Sequence, residues 1–433
     1  MMFCYRFLLS ITYFSLAVYG YVRYQPEQIH LSLSDNSRDI IVTWSTPDKT
    51  FGKSIVEYGV DKINLRSVGY RKKFVDGGKA KRAQYVHRVT LTDLKANTTY
   101  KYRCGGEQGW SPIFWFKTFP DGDNWIPNIA IYGDLGNEEG RSLPQLQKEA
   151  QDGLYNAIIH NGDFSYDMDM DDGQFGDEFM RQIESVAAYV PYMTTVGNHE
   201  EAYNFSHYKE RFTMPGDNDG LYYSVNIGPI HFICFSSEFY YYPQYFTGPE
   251  EQYKWIIKDL EEATRPKNRD KHPWIIVLAH RPMYCTSDDK DDCNFKKAAT
   301  RIGIGEPPKY GLESVFYKYG VDMEIWAHEH IYERFYPVYN YTVMNGSMEF
   351  PYVNPKAPVH VTTGSAGCSE GHNNFIPAPE YSAFRSRDYG YSTLKVFNHT
   401  HLYMDFVSID QGKIIDAIWV VKDSHDSFLK SEK

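Results

Sequence analysis

The sequence has no surplus of positive charge. Lys and Arg number 45 against 56 Asp and Glu, a formal net charge of −11, which argues against a nucleic-acid surface or a polybasic membrane patch. A site that handles phosphate must then gather positive charge locally, for instance from metal. No internal repeat recurs at a fixed period, and after the first twenty residues no apolar stretch is long enough to span a bilayer. Cysteine is scarce, at six. With Cys4 in the N-terminal stretch five remain, so at least one thiol stays unpaired. Cys285 and Cys293 close the short polar loop "CTSDDKDDC" and form the best disulfide pair, whereas Cys104, Cys234 and Cys368 have no assignable partner. The zinc-protease motif H-E-x-x-H is also absent. In "AHEHIYER" the fourth residue after His328 is Tyr332, so two ligands cannot share a helix face there.

What is present is ordered, strand-rich sequence. Aromatic residues make up 16% of the chain, including 37 Tyr, and such residues favour strands over disorder. The length of 433 residues suggests two or three domains. Residues 1–20, "MMFCYRFLLSITYFSLAVYG", carry Arg6 before an apolar stretch ending in small residues, the pattern of a secretory signal peptide cleaved near Gly20; an N-terminal anchor is the alternative. Five N-x-[ST] sequons, at Asn97, Asn204, Asn340, Asn345 and Asn398, support a secretory route with glycosylation.

Residues 22–119 read as all β. Runs such as "IHLSLS", "DIIVTWST", "HRVTLTDL" and "TTYKYRCG" alternate, with turn residues at hairpin spacing, as in a sandwich. The segment from "HRVTLTDL" to "FWFKTFP" resembles a fibronectin type III domain. The breaker-rich "PDGDNWIP", 120–127, is the linker. Over 126–422, buried-strand runs alternate with helical patterns at 143–152, 174–188, 249–263 and 310–319, which argues α/β architecture. The polar tail 423–433 is expected to fray.

Five of these strands end in polar residues: "AIYGDLG", "IIHNGDFSYD", "TTVGNHE", "IIVLAH" and "EIWAHEH". Sites in α/β sheets lie beyond strand carboxyl ends, so Asp134, Asp163, Tyr166, Asn198, His199, His280, His328 and His330 converge on one rim. Each item alone has a plain alternative: a G-D turn, an Asx turn, a core histidine at His280, two solvated histidines at a strand end. Gly133, Gly162 and Gly197, each just before a key residue, are read as sharp turns. The five-fold coincidence in one context is what points to a site.

In this order, "GDLG", "GDFSYD", "GNHE", "VLAH" and "AHEH" resemble the signature of the purple acid phosphatases, a group of dinuclear metallophosphoesterases, and "AHEHIYERFYPVYN" and "TGSAGC" look closest to the animal long-form branch. The resemblance implies an α/β metallophosphoesterase fold, two mixed β-sheets sandwiched by helices, behind the fibronectin-like domain. It implies that Asp134, Tyr166 and His330 ligate ferric iron, that Asn198, His280 and His328 ligate a divalent ion (Zn, Fe or Mn), and that Asp163 bridges them. Carboxylate and phenolate oxygens suit a hard ion, and imidazole and amide suit the divalent one. Two ions about 3.5–4 Å apart would activate a hydroxide for in-line attack on a phosphate monoester, at acid pH. Asn198 and His199 would contact substrate, His199 as donor to phosphate or leaving oxygen, or as scaffolding.

Two departures stand out. Plant-type members carry further histidines where this chain has Asp289 and Lys290, so none can be transferred; His372 is another candidate on the substrate side. Ala327 opens the fifth block where glycine is usual. Glu329 points away from the pair and has no assigned role. A phosphodiesterase or nucleotide hydrolase on the same scaffold is the first alternative. An extracellular binding protein with a vestigial site is the second, and seven intact ligands argue against it.

Overall fold

Alternating apolar residues become strands because every second side chain can then be buried while its neighbours face water. The computed structural model describes residues 22–242, 248–288, 293 and 298–429. The signal segment 1–20, Asp289, Lys290 and residues 430–433 lie outside these. Strands β1 (Glu27–Leu33), β2 (Ile40–Thr46), β3 (Ser54–Gly59), β4 (Leu65–Val75), β5 (Ala83–Leu91), β6 (Thr99–Gly106) and β7 (Gly109–Trp110) are paired in the order β1-β2-β5-β4-β3-β6-β7, and β8 (Phe114–Lys117) pairs with β6. All these pairs are antiparallel. The long β4 serves both halves, pairing with β3 through Leu65–Gly69 and with β5 through Tyr70–Val75. The halves enclose Ile29, Leu31, Val42, Trp44, Val56, Tyr102 and Phe116.

After the linker, β9 (Asn128–Tyr132), β10 (Ala157–Asn161), β11 (Tyr192–Thr195), β23 (Gly390–Val396), β24 (His401–Ser408) and β25 (Lys413–Val421) form a six-stranded sheet in the order β11-β10-β9-β23-β24-β25. A seven-stranded sheet runs β12 (Tyr223–Ile227), β13 (Ile230–Cys234), β14 (Trp274–Leu278), β17 (Met323–Trp326), β21 (Val359–Thr363), β18 (Tyr332–Phe335), β22 (Ser382–Ser386). Both sheets are mixed: β9, β10 and β11 are mutually parallel, as are β13, β14, β17 and β21, and each remaining strand pairs antiparallel with its neighbours. Two short hairpins, β15 (Gly303–Ile304) with β16 (Lys309–Tyr310) and β19 (Val338–Tyr339) with β20 (Thr342–Val343), complete the strands.

The central strands read as unbroken apolar runs because both faces are covered. Phe232, Ile276 and Leu278 face the large core shared with the other sheet, while Ile233, Ile275 and Val277 face a second core closed by helices Gly248–Ala263 and Glu313–Tyr319. The helix Met170–Ala187 is interrupted at Asp171, Asp172 and Gly173, all at positive φ, so its regular part begins after Gly173, as its periodicity predicts. No helix among the described residues is long and apolar enough to cross a membrane.

The two parts of the chain share packing. Strand β1, an edge of its own sheet, lies against β11, the edge of the six-stranded sheet, through a parallel bridge between Leu31 and Pro191. Ile29 N donates to Glu184 Oε2 at 3.0 Å, and Tyr102 Oη to the Ala188 carbonyl at 2.7 Å. The expectation of a frayed tail fails for residues 423–429. The fully buried Asp322 carboxylate holds His425 Nδ1 at 3.0 Å and Lys422 Nζ at 2.5 Å, and Phe428 packs on Tyr317 with ring centroids 5.4 Å apart.

Candidate metal centre

The polar strand ends do meet. Asp134 follows β9, Asp163 and Tyr166 follow β10, and Asn198 and His199 lie in the one-turn helix Asn198–Glu200 after β11. From the facing sheet, His280 follows β14, and His328 and His330 follow β17. The glycine reading holds for only one position. Gly162 sits at φ +85, whereas Gly133 and Gly197 are needed for close approach: a Cβ on Gly133 would lie 2.4 Å from Ala327 Cβ, and one on Gly197 2.1 Å from Asp163 Oδ1. The left-handed backbone is instead taken up by site residues themselves, Asp134 (φ 58), Asp163 (φ 52), Tyr166 (φ 61) and His328 (φ 68). Such conformations disfavour non-glycine residues and persist where the surroundings fix them.

Two adjoining clusters result. In one, Tyr166 Oη lies 2.8 Å from His330 Nε2 and 3.3 Å from Asp134 Oδ1, and His330 Nε2 is 3.6 Å from the same oxygen. In the other, His280 Nε2 lies 3.1 Å from Asp163 Oδ2 and 3.2 Å from His328 Nδ1. Asp134 Oδ1, 3.9 Å from His280 Nε2, joins them. Backbone carbonyls set the ring orientations. His280 Nδ1 faces Asn161 O and His330 Nδ1 faces Gly371 O, each at 2.9 Å, so both Nε2 atoms turn to the centre.

The donors fit a cation. Asn198 Oδ1 is buried with no hydrogen-bond partner, a costly state for an acceptor unless a cation takes it. Burial would lower the His280 pKa, but the Asp163 and Asp134 carboxylates overcome it and raise it to about 10. His330 is likewise raised well above the ordinary imidazole value despite burial, through Asp134 and Cys368. Burial, then the Asp134 charge, raises the Tyr166 phenol. Without metal, protons on the imidazoles balance the carboxylates, and metal binding would displace them. Asp134, Tyr166 and His330 could hold a hard ion, and Asn198, His280 and His328 a borderline divalent one, with the Asp163 carboxylate against His280 on the divalent side.

Above this centre is a cavity of about 210 Å³, with His199 on one wall and Glu370, Gly371, His372 and Asn373 on another. His372 is thus beside the site, its Nδ1 2.9 Å from the His330 carbonyl. Burial works against protonation of His199, but the hydrogen bond to Asp167 and the Asp163 charge raise its pKa to about 9. A larger cleft of about 790 Å³ beside the linker, lined in part by Arg38, Trp125 and His231, holds none of these groups.

Sequence reasoning missed several neighbours. Glu200 is buried and accepts from the backbone N–H groups of Asp163 (2.9 Å), Phe164 (2.9 Å) and Gly197 (2.8 Å), tying two site loops together. Its place as the last residue of "GNHE" was the available signal. Arg281 Nη1 lies 3.0 Å from His328 Nε2 and Arg281 Nε donates to Glu238 at 2.9 Å. Cys368 Sγ lies 3.3 Å from His330 Nδ1. Cys285 and Cys293 form a disulfide, and Cys104, Cys234 and Cys368 are buried free thiols. Glu329 is buried with Oε1 3.0 Å from Cys293 Sγ, behind the histidine pair. Asn97, Asn204, Asn340 and Asn398 are exposed, and Asn345 is half-buried.

The fold and these clusters define a metallophosphoesterase, and residues 127–332 match the family described as calcineurin-like phosphoesterase. Residues 26–118 match "Purple acid Phosphatase, N-terminal domain", and 357–417 match "Iron/zinc purple acid phosphatase-like protein C". The chain is 53% identical over 412 residues to acid phosphatase type 7 of Danio rerio, covering 93% of this chain and 92% of the relative. It is 48% identical to the Homo sapiens protein of that name, over 97% of this chain and 96% of the relative. With Fe(3+)-Zn(2+) purple acid phosphatase 12 of Arabidopsis thaliana the identity is 30%, over 92% of this chain and 84% of the relative. The structure of a purple acid phosphatase from yellow lupin (Lupinus luteus) seeds shares the fold, with a TM-score of 0.77 and 24% identity, covering 92% of this chain and 75% of that one. The chain belongs to the purple acid phosphatase family.

Proposed function

We propose that this protein is an acid phosphatase that hydrolyses phosphate monoesters at a dinuclear centre. In this reading Asp134, Tyr166 and His330 would hold ferric iron, Asn198, His280 and His328 would hold zinc, iron or manganese, and Asp163 would serve both. The observation that carries it is the convergence of Asp163, His280 and His328, whose ligand atoms all lie within 4.8 Å of one another, next to the Asp134–Tyr166–His330 cluster and at a cavity that Asn198 also lines. Two such ions supply positive charge to a phosphoryl group and acidify a water. The chain's own residues do the rest. His199, with its backbone N–H on Asp163 Oδ1 at 3.0 Å, presents its Nε2 to the cavity as donor to the departing oxygen. Glu200 keeps the Asp163 and Gly197 loops in register.

The proposal includes a β-sandwich domain over 22–119, a catalytic domain over 126–422, and passage through the secretory route with glycans on the sequons, which the exposure of Asn97, Asn204, Asn340 and Asn398 supports. The test is metal analysis together with parallel assays of a monoester and a bis-ester at several pH values. Iron plus a second metal, monoester hydrolysis favoured in acid, and loss of activity by at least about 100-fold in Asp163→Ala are expected. A preference for the bis-ester would instead make it a phosphodiesterase.

A further inference from the structure

His199 is held at three points. Its backbone N–H donates to Asp163 Oδ1 at 3.0 Å, its ring lies against Tyr166 with centroids 4.5 Å apart, and its Nδ1 stands 2.9 Å from Asp167 Oδ1. Its Nε2 faces the cavity, with Asp163 Oδ2 and Glu370 Oε1 each 3.9 Å away. Asp167 reaches this place through a tight turn in which Tyr166 (φ 61) and Asp167 (φ 74) are successive left-handed residues. That turn delivers the Tyr166 hydroxyl to Asp134 and His330 and the next carboxylate to the His199 ring. A carboxylate placed there only for solubility would not need the contact, which Asp167 keeps although its side chain is half-exposed.

Resting on the phosphatase reading, we infer that Asp167 is the positioning residue for His199. It accepts the Nδ1–H of the imidazolium and so sets the ring rotation, with Nε2–H pointing at the oxygen that leaves and the neutral ring keeping its Nδ1–H on Asp167 afterwards. In the step so arranged, a water oxygen forms the new bond to phosphorus while the ester P–O bond breaks. The Nε2 proton passes to the departing oxygen, which leaves as an alcohol. The water keeps one hydrogen on the phosphate product and gives up the other, and His199 recovers a proton from solvent.

The test compares the metal-loaded wild type with Asp167→Gly and Asp167→Asn. Both replacements tolerate a left-handed backbone, but only the amide retains an oxygen to accept from Nδ1. Two esters are assayed: glycerol 2-phosphate, whose alkoxide must be protonated to leave, and p-nitrophenyl phosphate, whose phenolate need not be. Asp167→Gly is expected to lower kcat about 10–100-fold on the alkyl ester and less than about threefold on the aryl ester. Asp167→Asn is expected to stay within about threefold of wild type on both. Equal losses on the two esters, no loss in Asp167→Gly, failure of Asp167→Asn alongside it, or loss of bound metal in both variants would overturn the inference. A wild type inactive on both esters would overturn the phosphatase reading itself, and this inference with it.

Discussion

At the scale of single residues, the centre gathers side chains whose chemistry suits cations. Asn198 presents an unpartnered oxygen, and His280 and His330 carry raised pKa values because carboxylates crowd them. Tyr166→Phe keeps the ring that packs on His199 and removes one oxygen from the Asp134–His330 cluster. It is expected to abolish the visible charge-transfer band of a ferric phenolate, and to lower activity by about 10–100-fold. An absorption spectrum with iron analysis checks this; a coloured variant would remove Tyr166 from the iron. Asp134, Asp163 and the histidines were legible because each follows an apolar run. Asp167, Arg281 and Cys368 were not, because their contacts depend on left-handed turns and on segments far away in sequence, and Glu200 was marked only by its place at the end of "GNHE".

At the scale of elements, the site exists because two sheets bring their strand ends close together. Gly133 N donates to Thr363 O at 3.0 Å across the junction, and a methyl group at Gly133 would meet Ala327 Cβ at 2.4 Å and Asn161 O at 3.0 Å. Gly133→Ala is therefore expected to force the strand ends apart, costing about 1–3 kcal/mol of stability and weakening metal retention. Calorimetry and metal content after dialysis check both. Strands β9, β10, β14 and β17 were readable as unbroken apolar runs covered on both faces. Strand β4 was not, since most of it is exposed or half-exposed and its apolar Leu65, Val68, Tyr70 and Val75 mark no buried face. Strand β25 hides its alternation differently: exposed Trp419 packs on Phe397 and Tyr403, so apolar residues stand on both of its faces.

At the scale of the whole molecule, acid is both working condition and stress. Burial lowers the pKa of His30 to about 4 and that of His87 to about 3, the latter with Ser54 and Thr46 hydroxyls on its two ring nitrogens. Both are neutral in the folded protein, whereas the unfolded chain takes up their protons below about pH 6.5. Their contribution is thus complete above about pH 6.5 and is lost as the pH falls toward the folded values, by about 2 kcal/mol each at pH 5. Melting of the metal-loaded protein is expected at lower temperature at pH 5 than at pH 7, and His87→Gln should narrow the gap. The Asp322 carboxylate behaves differently. Burial opposes its charge, but Lys422, His425 and Arg269 depress its pKa below the ordinary value, so its grip on the tail persists above about pH 4 and weakens only in stronger acid.

The meeting of β1 and β11 has a consequence for solubility. Each is the edge of its sheet, and an open edge is a template for pairing with other chains. Residues 126–429 produced without the preceding domain would expose the β11 edge and the Glu184 carboxylate that now accepts from Ile29 N. They are expected to self-associate, which light scattering would detect, whereas the whole chain stays monodisperse under the same conditions. With that outcome the amino-terminal sandwich would serve as a built-in guard against aggregation, and the rest of the chain would not be a module that can be moved to another protein without it.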